Sequence, residues 1–164
     1  MQAFIYAAAT TSPSPEFAAG FVFGMTGNDY ESAIAGPDAC YTVPKHDLPS
    51  KELNMAMSLL KGGKEVGQIA AGIDYSLYIE QLNSMLGSCT EVQSDLQRIS
   101  NWADIFNDPE LAGRTITENF IKNPGLIEAD IKVMEQWWDS ADYYKSGMTL
   151  AYIANTLIGP IPAW

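Results

Sequence analysis

Two cysteines and one histidine are all the thiol and imidazole chemistry in this 164-residue chain. Cys40 and Cys89 do not form a CxxC pair, and His46 lies between Pro44 and Pro49 in "YTVPKHDLPS" with no triad partner in view. A catalytic thiolate needs a base or cation beside it, and zinc needs three or more dependable nitrogen or sulfur ligands. Those ligands would exhaust what the chain owns, so neither chemistry is supported. Two readings of the cysteines stay open. A reducing compartment makes them buried thiols, whereas an oxidising one invites a single bridge, closing a loop of about 50 residues at a gain of a few kcal/mol.

The carboxylates say as little about catalysis. Asp104, Asp108 and Glu110 in "DIFNDPE", with Asp29, Glu31 and Asp38 earlier, are oxygen-rich. They lack the ordered spacing of a calcium loop, and helix caps and solvated faces account for them. "LLKGGKE" has a glycine pair without the order of a phosphate-binding loop, and GxGxxG, GxSxG and HExxH are absent. The expectation is a protein that is not an enzyme, with no cofactor and no metal.

Charge narrows the partners. Twenty acidic residues against nine basic ones give a net charge of -11, which repels nucleic acid and anionic membranes. Charged residues make up 18 % of the chain and apolar ones 47 %, a composition that folds but has few charges to solvate its outer faces. That deficit points to further burial, by self-assembly, against a large partner or around a lipidic ligand. No apolar run is long enough to span a bilayer.

The elements that would position these groups read as helices. Residues 1–15 form an arm: an apolar run from Ala3 to Ala9, without the basic and hydrophobic regions of a signal peptide, then a proline-stiffened "TTSPSPE". Phe4, Ile5 and Tyr6 in that arm pack on their own domain or reach a neighbouring subunit. Residues 16–164 form one domain. A first helix from Phe17 carries Gly20 and Gly24 four apart, a seam for close backbone approach; "GND" and "AGPD" are stops, and "DYESAIA" between them is either a short helix or the continuation of the first. Leu53, Met57 and Leu60 mark a helix that starts near Asp47 or Ser50. Val66, Ile69, Ala70, Ile73, Leu77, Leu82, Met85 and Leu86 mark another, ended by Gly87.

Cys89, Val92, Leu96, Ile99, Ala103 and Phe106 then recur at steps of three and four, behind a capping box of Ser88 with Glu91. Asp108 and Pro109 start a short segment, Thr115 and Glu118 offer a second box, and "NPG" breaks the chain at Asn123. Ile127, Ile131, Met134, Trp138 and Ala141 form the next stripe, and Leu150, Ile153, Ala154 and Leu157 the last. No strand is predicted. The fold class is all-α, a bundle of five or six helices with an extended N-terminal arm and one disulfide. Trp137, Trp138, Tyr143 and Tyr144 crowd one helix and its end. Such aromatics serve the core and also anchor interfaces, so they join the arm as self-association candidates.

"FAAGFVFGMTG", Cys89 ahead of Trp102 and Phe106 in "CTEVQSDLQRISNWADIFNDPE", and "DYYKSG" with Tyr143, Tyr144 and Gly147 resemble the motifs of small secreted helical proteins of ciliated protists, over residues 16 to 159. The resemblance implies an extracellular setting and a disulfide, Cys40 to Cys89, and no known activity. The resulting expectation is a secreted or cell-surface structural protein that forms a homo-oligomer or homopolymer, as in a filament. The alternative is an extracellular carrier of a small apolar or lipid ligand.

Overall fold

Pro15 lacks an amide hydrogen and has a fixed φ, so it suits a helix's first turn, and Glu16 beside it complements the positive end of the peptide dipoles. Helix α1 accordingly spans Ser14–Thr26 and takes up two residues that the sequence assigns to the linker. The computed structural model describes residues 14–42 and 78–161. Phe4, Ile5, Tyr6, His46 and the predicted helices over 50–77 lie outside the described residues.

Phe17, Ala18, Ala19, Phe21, Val22 and Met25 are each at most 6 % exposed, so α1 is apolar nearly all round and runs through the core. Gly27 ends it with φ +79, a left-handed value that costs glycine little. A short separate helix α2, Glu31–Ala35, follows and buries Ile34. Residues 78–85 are helical (α3) and bury Tyr78, Leu82 and Met85.

The Cys89 stripe is buried as its spacing requires, at 7 % exposure or less from Cys89 to Phe106, except for half-buried Ala103. It is not one helix. A 3-10 turn at Thr90–Val92 leads into α4, Gln93–Trp102, and a second 3-10 turn follows at Ala103–Asn107. The predicted Ser88–Glu91 box is absent. Cys89 precedes the turn without a side-chain cap, and the Gln93 amide instead donates to the carbonyls of Leu86 and Cys89 at 2.9 and 3.0 Å.

Asp108 caps α5, Pro109–Lys122, by accepting from the Leu111 amide at 3.2 Å. This helix is continuous through Thr115. The Thr115 hydroxyl donates back to Leu111 O at 2.8 Å, so the second predicted box is interior helix. Asn123 closes α5 and opens α6, Pro124–Asp139, which buries Ile127, Ile131, Met134 and Trp138. Ala141 is not part of that stripe. It lies exposed beyond the helix at φ 61, within a Schellman-type end where Asp142 N bonds Trp137 O and Ala141 N bonds Trp138 O.

Asp142 then caps α7, Tyr143–Ile158, through the Lys145 amide. The described residues hold seven helical segments and no strand, an all-helical bundle tied by one disulfide.

The glycine seam joins α1 to α7. A Cβ on Gly20 would strike the backbone carbonyl of Tyr144. One on Gly24 would meet Ala151 Cβ at 2.5 Å and Met148 O at 2.7 Å, and one on Gly147 would strike the Phe17 carbonyl. The two backbones therefore touch almost directly. Around this pair, Phe17 meets Tyr78 and Trp138 edge to face, with ring centroids 6.3 and 5.8 Å apart.

Candidate functional site

Cys40 and Cys89, 49 positions apart in sequence, are bonded with Cα atoms 5.1 Å apart. The bridge ties the strap after α2 to the turn before α4. Two backbone bonds reinforce it, Cys40 N to Ala33 O at 3.0 Å and Thr42 N to Met85 O at 2.9 Å. Cys89 is 2 % exposed and Cys40 half-buried. Beside them runs a groove of about 190 Å³ lined by Ala33, Asp38, Ser88, Thr90 and Glu91 as well as both cysteines. Carboxylates and hydroxyls suit a polar occupant rather than a lipid chain.

Asp95, which no sequence motif singles out, is the one buried carboxylate among the described residues, at 4 % exposure. Its oxygens accept from the Tyr30 hydroxyl at 2.6 Å, the Asn28 amide at 2.8 Å and the Arg98 guanidinium at 3.0 Å. Burial works to raise its pKa, but the bonds from Tyr30, Asn28 and Arg98 together outweigh burial and hold the carboxyl below its ordinary value. The same hydrogen bond is the main reason that the Tyr30 phenol is pushed up to about 12. This network fixes the loop after α1 onto α4, which is structural work.

The sign of its pH dependence follows. Because the folded pKa lies below the unfolded value of about 3.9, the stabilisation is complete above that value and disappears as pH falls through the folded pKa. Asp95→Asn is expected to cost about 2 kcal/mol at pH 7, less than outright loss of a buried ion's partner because asparagine keeps some of the hydrogen bonds. Urea unfolding at pH 7 and pH 3 checks this, with the deficit shrinking at the lower pH.

The predicted aromatic candidates gather where α6 meets α7. Trp138 is 4 % exposed and stacks edge to face with Tyr143 at 4.7 Å, so its area lies within the core. Trp137, Tyr143 and Tyr144 are half-buried. The Lys145 ammonium sits 4.5 Å from the Trp137 ring centroid, and Tyr144 packs on Phe23 while its hydroxyl donates to Asp29 at 3.2 Å.

Asp104, Asp108 and Glu110 are exposed, Asp108 as a cap, and among the described residues no group of three potential ligands is placed to hold a metal ion. No described helix is long and apolar enough to cross a membrane. Compared with protein-family models, with curated proteins and with solved structures, the chain matches none.

Proposed function

We propose that this chain is a non-enzymatic structural protein of the cell exterior that self-associates, as the repeating subunit of an extracellular filament. The observation that carries the reading is the apolar surface left outside the core. Ile121 is 70 % exposed, Leu126 52 %, Tyr152 44 %, Leu111 42 % and Val133 38 %. Single exposed apolar residues are ordinary, but here they accompany a low charged fraction and an apolar arm ahead of α1. The extracellular setting is supported by the Cys40–Cys89 bond, a linkage that persists in oxidising compartments, and by the resemblance to secreted ciliate proteins.

Negative-stain electron microscopy of the oxidised, concentrated protein tests the reading. Regular polymers or closed rings are expected. Fields of isolated particles of single-chain size would overturn it.

A further inference from the structure

The apolar sector of α6 is wider than the sector that the fold buries. At about 100° per residue, Ile127, Ile131, Met134 and Trp138 fall within an arc of about 60° facing the core. Leu126, Asp130, Val133 and Trp137 form a second row on one flank, about 100° round from the first. Glu128, Lys132, Glu135 and Asp139 occupy the other flank, so apart from Asp130 the charge is one-sided. In the second row Leu126 and Val133 are exposed, and Asp130 and Trp137 are half-buried. Burial raises the Asp130 carboxyl pKa, placing an acceptor of reduced solvation in the middle of an apolar strip.

The chain ahead of α1 starts near one end of that strip. The contacts of Gly147 with Phe17, and of Gly24 with Met148 and Ala151, make α1 and α7 run side by side in the same direction. The short connection from Asp139 to Tyr143 makes α6 antiparallel to both. Ser14 therefore sits at the Trp137 end of α6, as the Phe17–Trp138 ring contact requires. Thirteen residues precede Ser14. Phe4 to Tyr6 stand eight to ten residues from it, a reach of roughly 25–35 Å, against about 17 Å for the strip from Leu126 to Trp137.

Length thus suffices, and direction selects the target. Extending α1 backwards leads away from the chain's own α6. Returning to it demands a reversal within "TTSP", where Pro13 favours extended geometry in the serine before it. The composition also matches: Ala3 to Ala9 is apolar except for one hydroxyl, that of Tyr6, and the strip is apolar except for Asp130 and the Lys145 ammonium against the Trp137 ring.

Building on the self-association reading, we propose that Ala3 to Ala9 of one copy docks on the Leu126–Asp130–Val133–Trp137 strip of the next, with Tyr6 donating to Asp130. Donor and acceptor are different surfaces, so the contact is heterologous and propagates into a polymer unless its rotation closes a ring.

Two full-length variants test the pairing by sedimentation velocity, with circular dichroism confirming native helix content. Ile5→Asp with Tyr6→Asp removes the donor, and Leu126→Asp with Val133→Asp removes the acceptor. If the acceptor variant loses helix, Leu126→Asn with Val133→Thr replaces it. Each variant alone is expected to be monomeric where the parent chain assembles, with association weakened at least tenfold. Mixed in equal amounts they are expected to form a heterodimer that grows no further.

An acceptor variant that assembles like the parent chain overturns the strip assignment and leaves self-association standing. Two monomeric variants that fail to pair on mixing overturn docking between copies. A parent chain that is itself monomeric at every concentration overturns the self-association reading beneath both.

Discussion

Gly147→Ala is expected to lower stability by about 3 kcal/mol, although helix propensity alone predicts a gain of about 1 kcal/mol. The sign is decided by what the new methyl group meets. It would strike the Phe17 carbonyl oxygen and lie 2.9 Å from that carbonyl carbon and 3.0 Å from Phe21 N. These are backbone atoms of a helix buried on nearly every side, so no side chain can swing away and α1 must move bodily off α7. Such overpacking shifts a melting temperature by about 6–12 °C in a domain of this size.

Gly20→Ala should behave alike, because its methyl would strike the Tyr144 carbonyl from the opposite helix. Gly125→Ala is the control. It lies in the first turn of α6 with nothing within 4 Å of the added carbon, and it should raise stability by about 0.5–1 kcal/mol. Thermal melts of the three variants are enough to check the order, and a stabilising Gly147→Ala would contradict the seam.

Loss of the disulfide is the other large effect. With the two cysteines 49 positions apart, the chain-entropy relation gives about 4 kcal/mol, a large fraction of the roughly 5–15 kcal/mol that holds a typical domain together. The double substitution Cys40→Ala with Cys89→Ala isolates this effect from the reductant itself. Cys89 lies in a packed site and Cys40 at its edge, so two alanines leave only a small packing deficit beside the loss of the cross-link.

Urea unfolding of the variant, and of the parent chain with and without a phosphine reductant, should give the same large drop in midpoint. Proteolysis should then begin in the strap at residues 36–42, which is tied to its neighbours by backbone bonds from Cys40 and Thr42 and by the Tyr41 hydroxyl on Met85 Sδ. A drop under about 1 kcal/mol would mean that the cross-link does not restrict the unfolded chain as this relation requires.

These two features were legible in the sequence because each depends on residue type at a fixed spacing. Glycines four apart on an apolar helix have few uses except close approach, and the rhythm from Cys89 to Phe106 turns the cysteine inward whether the backbone is α or 3-10. Asp108–Pro109 was equally plain as a cap with a first-turn proline, and Asn123, Pro124 and Gly125 as a break in the chain, since both signals act locally. What could not be read is non-local or a contest between near-equal local bonds. Asp95 gains its burial from Tyr30 and Asn28, 65 and 67 residues away, so no window of sequence contains the network.

Ser88 and Glu91 had the spacing of a capping box, but the chain enters α4 through a 3-10 turn in which Val92 N donates to Cys89 O, and Cys89, not Ser88, holds the cap position. Ala141 has the spacing of a core position and lies instead at a left-handed helix end, at a cost of about 1 kcal/mol for a residue with a Cβ. Of the self-association candidates, the structure brings Trp137, Trp138, Tyr143 and Tyr144 to one end of the bundle and places Trp138 in the core. Leu126 and Val133 were missed because a search for the buried stripe of α6 discards its flanks.

The proposed structural role requires that the folded, oxidised chain self-associate. The most direct measurement is the molar mass of the native protein by light scattering across a wide concentration range. Mass that climbs with concentration well above the 17.9 kDa of one chain is the result expected here. A constant 17.9 kDa up to the highest concentration reached would contradict it.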